Sequence, residues 1–250
     1  MPLAAIKSLL NAAVDIVLPP LCFQCADPLD HHGGLCGQCW SALNFIRDPL
    51  CMRCGYPFEF EMDQEALCGA CLKRVPGYDL ARSALTYDDQ GRSMVLGLKY
   101  SDRNEGLTSF ARWMTQAGLD LITDSDLILP VPLHAMRLWR RRFNQAALIA
   151  EKIGRLNGLP VNALLLKRHK ATAVQGGLSR RERHLNVRGA FCVSPADKKQ
   201  LDGKRILLID DVLTTGATVE SCARTLKNAG AAQVNILTLT RVVRAGGQFV

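Results

Sequence analysis

The chain has 250 residues, of which 48% are hydrophobic and 22% are charged, and this composition excludes a wholly disordered protein. Lys7, Asn11 and Asp15 interrupt the first apolar stretch, which argues against a secretory signal peptide, and no apolar run reaches the length of a membrane span. We therefore expect a soluble protein of the reducing cytoplasm, where paired cysteines are metal ligands more often than disulfides.

The net charge of +8 is concentrated in one part of the sequence. Residues 1–75 contain five Lys or Arg and eight Asp or Glu, whereas residues 134–188 contain thirteen Lys or Arg and only two acidic residues. We call residues 134–188 the basic segment. A concentrated positive field attracts phosphates, either on a small ligand or along a nucleic acid.

The sequence predicts three successive regions. Residues 1–20 are typical of a short amphipathic helix that ends before two prolines, and residues 21–75 are rich in Cys, Gly and Pro without an apolar period. Residues 76–250 alternate predicted strands (80–87, 127–131, 161–166, 189–193, 205–209 and 234–240) with predicted helices (105–122, 145–157 and 217–228). This alternation predicts an α/β domain in which helices cover both faces of a parallel sheet.

Eight of the ten cysteines form four Cys-x-x-Cys pairs, namely Cys22 with Cys25, Cys36 with Cys39, Cys51 with Cys54 and Cys68 with Cys71. Each pair can present two thiolates to one tetrahedral ion, so the eight thiolates predict two closed, structural zinc sites. The alternatives are a disulfide scaffold or a redox-active pair. Sharing of one ion by adjacent pairs is the simplest arrangement, and an interleaved arrangement stays open.

Residues 206–218 carry the densest signal. Four apolar residues precede Asp210 and Asp211, and Thr214-Thr-Gly-Ala-Thr218 leads into a predicted helix. Free amides at the helix start and the threonine hydroxyls can bind a phosphate monoester, and Gly216 lets the backbone approach it. The two carboxylates would repel that anion, and they are better placed to accept hydrogen bonds from neighbouring sugar hydroxyls.

These residues resemble the 5-phosphoribosyl-1-pyrophosphate signature of type I phosphoribosyltransferases. The whole chain resembles the ComF family (competence protein F, with the related GntX proteins), in which Cys-x-x-Cys pairs precede such a domain. Further matching stretches are Leu98-Lys99-Tyr100, Pro130-Val-Pro-Leu133, Arg141 with Phe143-Asn144-Gln145, and residues 168–191. One position departs from the family, because Arg142 stands where a glycine is usual.

The resemblance implies a phosphoribosyltransferase-like fold behind a double zinc ribbon, with two structural zinc ions and with magnesium on the pyrophosphate donor. It implies that the loop Thr214, Thr215, Gly216, Ala217 and Thr218 binds the 5-phosphate, and that Pro132, Leu133 and His134 lie near the pyrophosphate. The candidate catalytic residues are Asp210, Asp211, Lys99, Arg168 and Arg183. Residues 167–188 match the hood that closes over the donor.

Two function classes stay open, because no residue is recognisable as the base that activates an acceptor. The first is an enzyme that transfers ribose 5-phosphate to a nucleophile. The second is a non-catalytic adaptor that binds single-stranded DNA or competence proteins, as the family's association with uptake and use of external DNA implies. Since residues 21–75 belong to an acidic region, DNA contacts are expected from the basic segment.

Overall fold

A computed structural model of the chain describes residues 19–63, 65–100, 104–170 and 179–243. The predicted N-terminal helix lies outside these residues. The described strands are β1 (Ala81–Thr86), β2 (Leu127–Pro130), β3 (Leu166–Arg168), β4 (Phe191–Val193), β5 (Arg205–Leu213) and β6 (Gln233–Arg241). The described α-helices are α1 (Gly37–Ser41), α2 (Gly69–Lys73), α3 (Asp89–Tyr100), α4 (Leu107–Ala117), α5 (Leu119–Thr123), α6 (Ala135–Arg141), α7 (Gln145–Asn157), α8 (Arg180–Val187) and α9 (Ala217–Asn228).

The main sheet is parallel throughout, with the strand order β1-β6-β5-β2. Its two faces are built by the alternation of side chains along each strand. On β5, Ile206 and Leu208 belong to a core that includes α9, whereas Leu207 and Ile209 belong to a core that includes α4 and α7. The predicted parallel sheet with helices on both faces is therefore confirmed.

Strands β3 and β4 form a separate antiparallel pair that packs beside α8 and α9. The strand predicted at 161–166 is mostly a turn. Val161 makes one parallel bridge with Ile128, and the Asn162 side chain then accepts hydrogen bonds from the backbone amides of Leu164 and Leu165 at 3.0 and 3.1 Å. Local bonding of an asparagine side chain competes with strand pairing in this way.

The cysteine-rich region contains the same local structure twice. A turn after Cys22 and a turn after Cys51 each close an isolated antiparallel bridge, Leu21 with Pro28 and Leu50 with Pro57. The residue after each turn has a left-handed backbone, with φ of 66° at Ala26 and 65° at Gly55. Helices α1 and α2 each begin directly after the first cysteine of the later pair, Cys36 or Cys68, and contain the second cysteine of that pair.

The first half of this region packs against α4 through a cluster of aromatic rings. The ring centroid of Trp113 on α4 lies 5.8 Å from Trp40, 5.6 Å from Phe45 and 6.4 Å from Phe23. Residues 44–46 also run along the free edge of β1, where the Ile46 amide donates to the Ala84 carbonyl at 2.9 Å. The edge strand is thus covered rather than open to another chain.

Candidate functional site

The cavity of interest opens at the carboxyl edge of the sheet, between β2 and β5. Helix α7, the second helix after β2, covers one face of the sheet, and α9, which follows β5, covers the other face. The loops after these two adjacent strands therefore diverge and leave a crevice, which is where open α/β sheets bind ligands. It has a volume of about 210 Å³.

The loop from β5 to α9 forms one wall. The Asp210 carboxylate accepts a hydrogen bond from the Asp211 backbone amide at 2.9 Å, which fixes its orientation toward the loop. Gly216 has φ of 80° and immediately precedes α9, so the turn requires a left-handed residue. The Thr215 hydroxyl is buried and makes no hydrogen bond within the described part of the chain.

The opposite wall is formed by the segment from β2 to α7, which contains α6. Asn144 caps α7 by accepting from the Ala146 amide at 3.1 Å, and its own amide donates to the Val131 carbonyl at 3.0 Å. Gln145 is only 2% exposed, and its Oε1 accepts from Arg141 at 3.4 Å. Its Nε2 has no hydrogen-bond partner among the described residues.

Arg142 has φ of 64°, the left-handed backbone that the family's usual glycine adopts without strain. Because a side chain with a Cβ carries an energetic cost in this conformation, Arg142 is a strained residue beside the cavity.

Arg168 on β3 places a buried cation in the cavity wall. It is 9% exposed, and its Cζ lies 5.4 Å from the centre of the Phe191 ring. Burial lowers the pKa of its guanidinium, and the nearby Arg137 lowers it further, while Asp210 acts in the opposite direction. Two like charges held together in a partly desolvated wall favour an anionic ligand between them.

The structure brings together most of the residues that the sequence selected. The cavity is lined by Pro132, Leu133, Arg168, Asp210, Asp211, Thr214, Gly216, Ala217 and Thr218. It is also lined by Arg137, Arg141, Asn144 and Gln145, which were not among the site residues predicted from the sequence. The signal for these four was present, since they lie in the basic segment and three of them belong to the stretch that matches the family.

Four site residues predicted from the sequence either lie outside the cavity lining or are not fully described. His134 is the N-cap of α6, where its Nδ1 accepts from the Met136 amide at 3.3 Å, and it does not line the cavity. Thr215 lies in the loop but outside the lining, and Arg183 on α8 is also outside it. Lys99 lies near the end of α3, and its side chain is outside the part of the structure that is described.

The eight paired cysteines form two groups of four. Cys22, Cys25, Cys36 and Cys39 make the first group, and Cys51, Cys54, Cys68 and Cys71 make the second, with all sulfur atoms of a group within 4.8 Å of one another. The Sγ atoms of Cys25 and Cys36, and of Cys54 and Cys68, are 3.6 Å apart. Four sulfurs placed about 2.3 Å from a central zinc ion would be about 3.8 Å apart at a tetrahedron's edges, so both groups fit zinc.

This geometry resolves the pairing that the sequence left open, because adjacent pairs share a site. All ten cysteines are free thiols, so the disulfide alternative is not what the structure contains. Backbone amides donate to sulfur in both groups, from Cys39 to Cys36 at 3.4 Å and from Cys68 to Cys51 at 3.3 Å. Such bonds stabilise thiolates around a structural metal.

Comparison with known proteins agrees with both parts of the chain. Residues 13–72 match the double zinc ribbon domain family, and residues 147–246 match the phosphoribosyl transferase domain family. Within the described ranges, no helix combines the length and apolar character needed to cross a bilayer.

Relatives match nearly the whole chain. It is 33% identical over 234 residues to the DNA utilization protein YhgH of Salmonella typhimurium, which covers 91% of this chain and 100% of the relative. It is 31% identical over 215 residues to the competence protein ComFC of Bacillus subtilis, and the match covers 83% of this chain and 84% of the relative. The chain belongs to the ComF family. Competence protein F of Haemophilus influenzae, another member, is 29% identical over 211 residues and covers 82% of this chain.

Proposed function

We propose that this ComF-family protein binds 5-phosphoribosyl-1-pyrophosphate, or a related phosphoribosyl ligand, in the cavity at the carboxyl edge of the sheet. The observation that carries the proposal is that two carboxylates, a left-handed glycine at a helix start and three arginines, of which Arg168 is buried, line one crevice. The ligand carries a phosphate, ribose hydroxyls and a pyrophosphate, and these three parts need the three kinds of group that line the cavity.

The loop after β5 is assigned to the ribose 5-phosphate. The first backbone amides of α9 point out of the helix start, where they favour an anion, and Gly216 leaves the approach open. Thr214 and Thr218, which line the cavity, add hydroxyl groups that can donate hydrogen bonds to the phosphate oxygens. Asp210 and Asp211 are assigned to the ribose hydroxyls, to which carboxylates are suitable acceptors.

The opposite wall is assigned to the pyrophosphate. Arg137, Arg141 and Arg168 concentrate positive charge there, and Gln145 offers a buried amide donor. We expect magnesium to enter with the pyrophosphate oxygens, since this ion keeps few protein ligands when it binds phosphates. The arginines then stabilise the charge that develops as the bond between ribose C1 and the pyrophosphate oxygen breaks.

We further propose that the protein is a transferase. The bond from ribose C1 to the pyrophosphate oxygen breaks, a bond from C1 to a nucleophile forms, and pyrophosphate leaves with the electron pair. The described cavity wall contains no histidine, and its carboxylates are assigned to the ribose. The acceptor is therefore expected to bring its own nucleophile in a reactive form.

Calorimetric titration with the donor and magnesium tests the binding proposal. The double substitution Asp210→Asn and Asp211→Asn should weaken donor binding by at least tenfold, because two hydrogen bonds from ribose hydroxyls to charged acceptors contribute about 1.5–3 kcal/mol each. Asp202→Asn, at an exposed carboxylate outside the cavity, is the matched control. Equal affinities for the two variants would refute the assignment.

Substitutions of Arg168 and Arg183, the two arginines predicted to be catalytic, test whether the pyrophosphate binds in the cavity or beside it. Arg168→Gln removes a cation that lines the cavity, whereas Arg183→Gln removes one on α8 that does not. We expect the affinity for pyrophosphate to fall by about tenfold or more in the first variant only, because that variant loses one hydrogen bond between charged groups. An equal loss in both would place the pyrophosphate closer to α8.

A second candidate function is supported by the exposed side of α6. Trp139 is 83% exposed, and Arg137 and Arg141 on the same helix line the cavity. Exposed aromatic rings among arginines suit single-stranded nucleic acid, and two relatives carry names for DNA utilization and competence. Excess pyrophosphate should displace a short oligonucleotide if the two ligands share the arginines. Simultaneous binding with unchanged affinities would refute a shared surface.

A further inference from the structure

The two groups of cysteines lie in different environments. In the first group Cys25 is exposed, and Cys36 and Cys39 are only partly buried. In the second group all four cysteines are buried, and they share one core with β5, β6 and α9 of the sheet domain. The second group is therefore part of the interior that supports the cavity.

Arg241 joins the second group to the sheet. It is the last residue of β6 and is 5% exposed, and its guanidinium donates to the Cys54 carbonyl. Its Nη2 lies 4.0 Å from the Cys54 Sγ, and its Cζ lies 5.2 Å from the centre of the Tyr56 ring. Four thiolates around zinc carry a net double negative charge, which a buried guanidinium offsets.

Arg241 also lies beside the start of the loop that is assigned to the phosphate. In the register of β5 and β6, it is paired with Leu213, the residue immediately before Thr214. The next amide, that of Val242, donates to the Leu213 carbonyl at 3.0 Å. A shift of Arg241 therefore moves the residue from which the loop departs.

A second contact reaches the other end of the same loop. Arg74, which caps α2 three residues after Cys71, donates to Glu220 Oε1 at 2.6 Å. Glu220 is 3% exposed, and its backbone amide donates to the Gly216 carbonyl at 2.9 Å. Arg241, which contacts the second group, thus lies beside one end of the loop, and Arg74, three residues after that group, reaches the other end through Glu220.

We propose that occupancy of the second cysteine group by zinc sets the conformation of the loop Thr214–Gly216, with Arg241 and Arg74 as the positioning residues. Without the charge of the metal-bound thiolates, the buried guanidinium of Arg241 lacks its full counterpart, and the strand end that carries it loses its support. This inference rests on the proposed function only where the affinity for ribose 5-phosphate is measured. The coupling between metal and loop stands on the contacts alone.

The test follows zinc release and loop order in the full chain. A thiol-specific mercurial should release zinc in two phases, first from the exposed group and then from the buried one, as measured with a metal-sensitive dye. Hydrogen exchange of residues 213–220 should be unchanged after the first phase and should accelerate by at least tenfold after the second. Unchanged protection after complete release would overturn the proposal.

Substitutions identify the positioning residues. Arg241→Met should speed the second phase of release by about tenfold, the size expected when a metal ligand loses an outer hydrogen-bond partner, and should deprotect residues 213–220. If this variant does not fold, Arg74→Gln, at a half-exposed side chain, provides the same test with a smaller effect confined to Glu220 and the loop. Arg224→Gln, which removes the longer 3.6 Å ion pair to Glu220 from within α9, is the control.

Ribose 5-phosphate serves as the ligand probe. Its affinity should fall by about tenfold after the second phase and not after the first, as expected for one lost hydrogen bond to a charged oxygen. If metal release changes loop exchange but the intact protein does not bind this probe, the coupling holds and the proposed function fails. If the intact protein binds it and the affinity is unaffected by complete zinc release, the proposed function holds and the coupling fails.

Discussion

Gly216→Ala isolates the role of the left-handed turn before α9. A Cβ built on Gly216 meets only Glu220 Oε1, at 3.6 Å, so alanine fits the space and the effect comes from φ of 80°. Holding a residue with a Cβ in the left-handed region costs about 1–2 kcal/mol, and the lower flexibility of the unfolded chain offsets about 0.4–1 kcal/mol of this cost. We expect a net loss of about 1 kcal/mol in the free energy of unfolding.

The effect on binding should exceed the effect on stability. If the loop relaxes away from the left-handed conformation, at least one amide loses its alignment with the 5-phosphate. A hydrogen bond to a charged oxygen contributes about 1.5–3 kcal/mol, which corresponds to an affinity loss of about tenfold to 150-fold. Calorimetry with ribose 5-phosphate measures this loss, and urea unfolding measures the stability.

Gly158→Ala is the matched control for this experiment. Gly158 ends α7 with φ of 69° and has no atom within 4 Å of a built Cβ, so it has the same backbone demand away from the cavity. Both variants should lose similar stability, and only Gly216→Ala should lose affinity. Equal affinities would show that the loop does not hold the phosphate through its backbone.

Three further predictions concern other parts of the chain. Elemental analysis of the reduced protein should find about two zinc ions per chain, four thiolates to each ion, and their absence would contradict the interpretation of both cysteine groups. Arg142→Gly should raise the free energy of unfolding by up to about 1 kcal/mol in urea, since glycine removes the strain at φ of 64°. The Arg205 guanidinium lowers the pKa of the Asp126 carboxyl from 3.8 to about 2, so the stabilisation from this pair is present above pH 3.8 and is lost as the pH falls toward 2. The difference in stability between Arg205→Gln and the unmodified protein should therefore shrink over that interval.

The sequence predicted the elements whose signals are local and strong. The apolar run of β5, the acids Asp210 and Asp211 and the Gly216 turn all lie within thirteen residues, so their arrangement could be inferred without long-range information. The four Cys-x-x-Cys pairs are equally local. Their sharing of two sites follows from the fold of residues 19–75, which spacing alone did not determine.

Helix α3 shows why other elements could not be predicted. It contains Gly91 and Gly97, which weaken helix propensity, and its stability comes from the packing of Met94, Val95 and Leu98 in the core. Gly91 is needed because a Cβ there would lie 2.2 Å from the Thr86 carbonyl oxygen. Such close approach of helix to strand is visible only once the two elements are placed together.

The arginines of the cavity wall illustrate a second limit. Arg137, Arg168 and Arg183 all belong to the basic segment, and their sequence context does not distinguish those that line the cavity. The distinction comes from the β3–β4 pair, which buries Arg168 against Phe191, and from α8, which holds Arg183 outside the lining. Charge density predicts an anionic ligand, and only the tertiary structure shows which of these arginines line the cavity.

The aromatic cluster at α4 determines what the intrinsic fluorescence of this protein reports. Two of the three tryptophans, Trp40 and Trp113, lie in that cluster beside the first cysteine group, and Trp139 is already exposed to solvent. The core around the second group, within the described chain, contains tyrosines but no tryptophan. Loosening of the first group should therefore shift the emission to longer wavelength, while events at the second group leave the tryptophan spectrum unchanged and require a tyrosine signal to be seen.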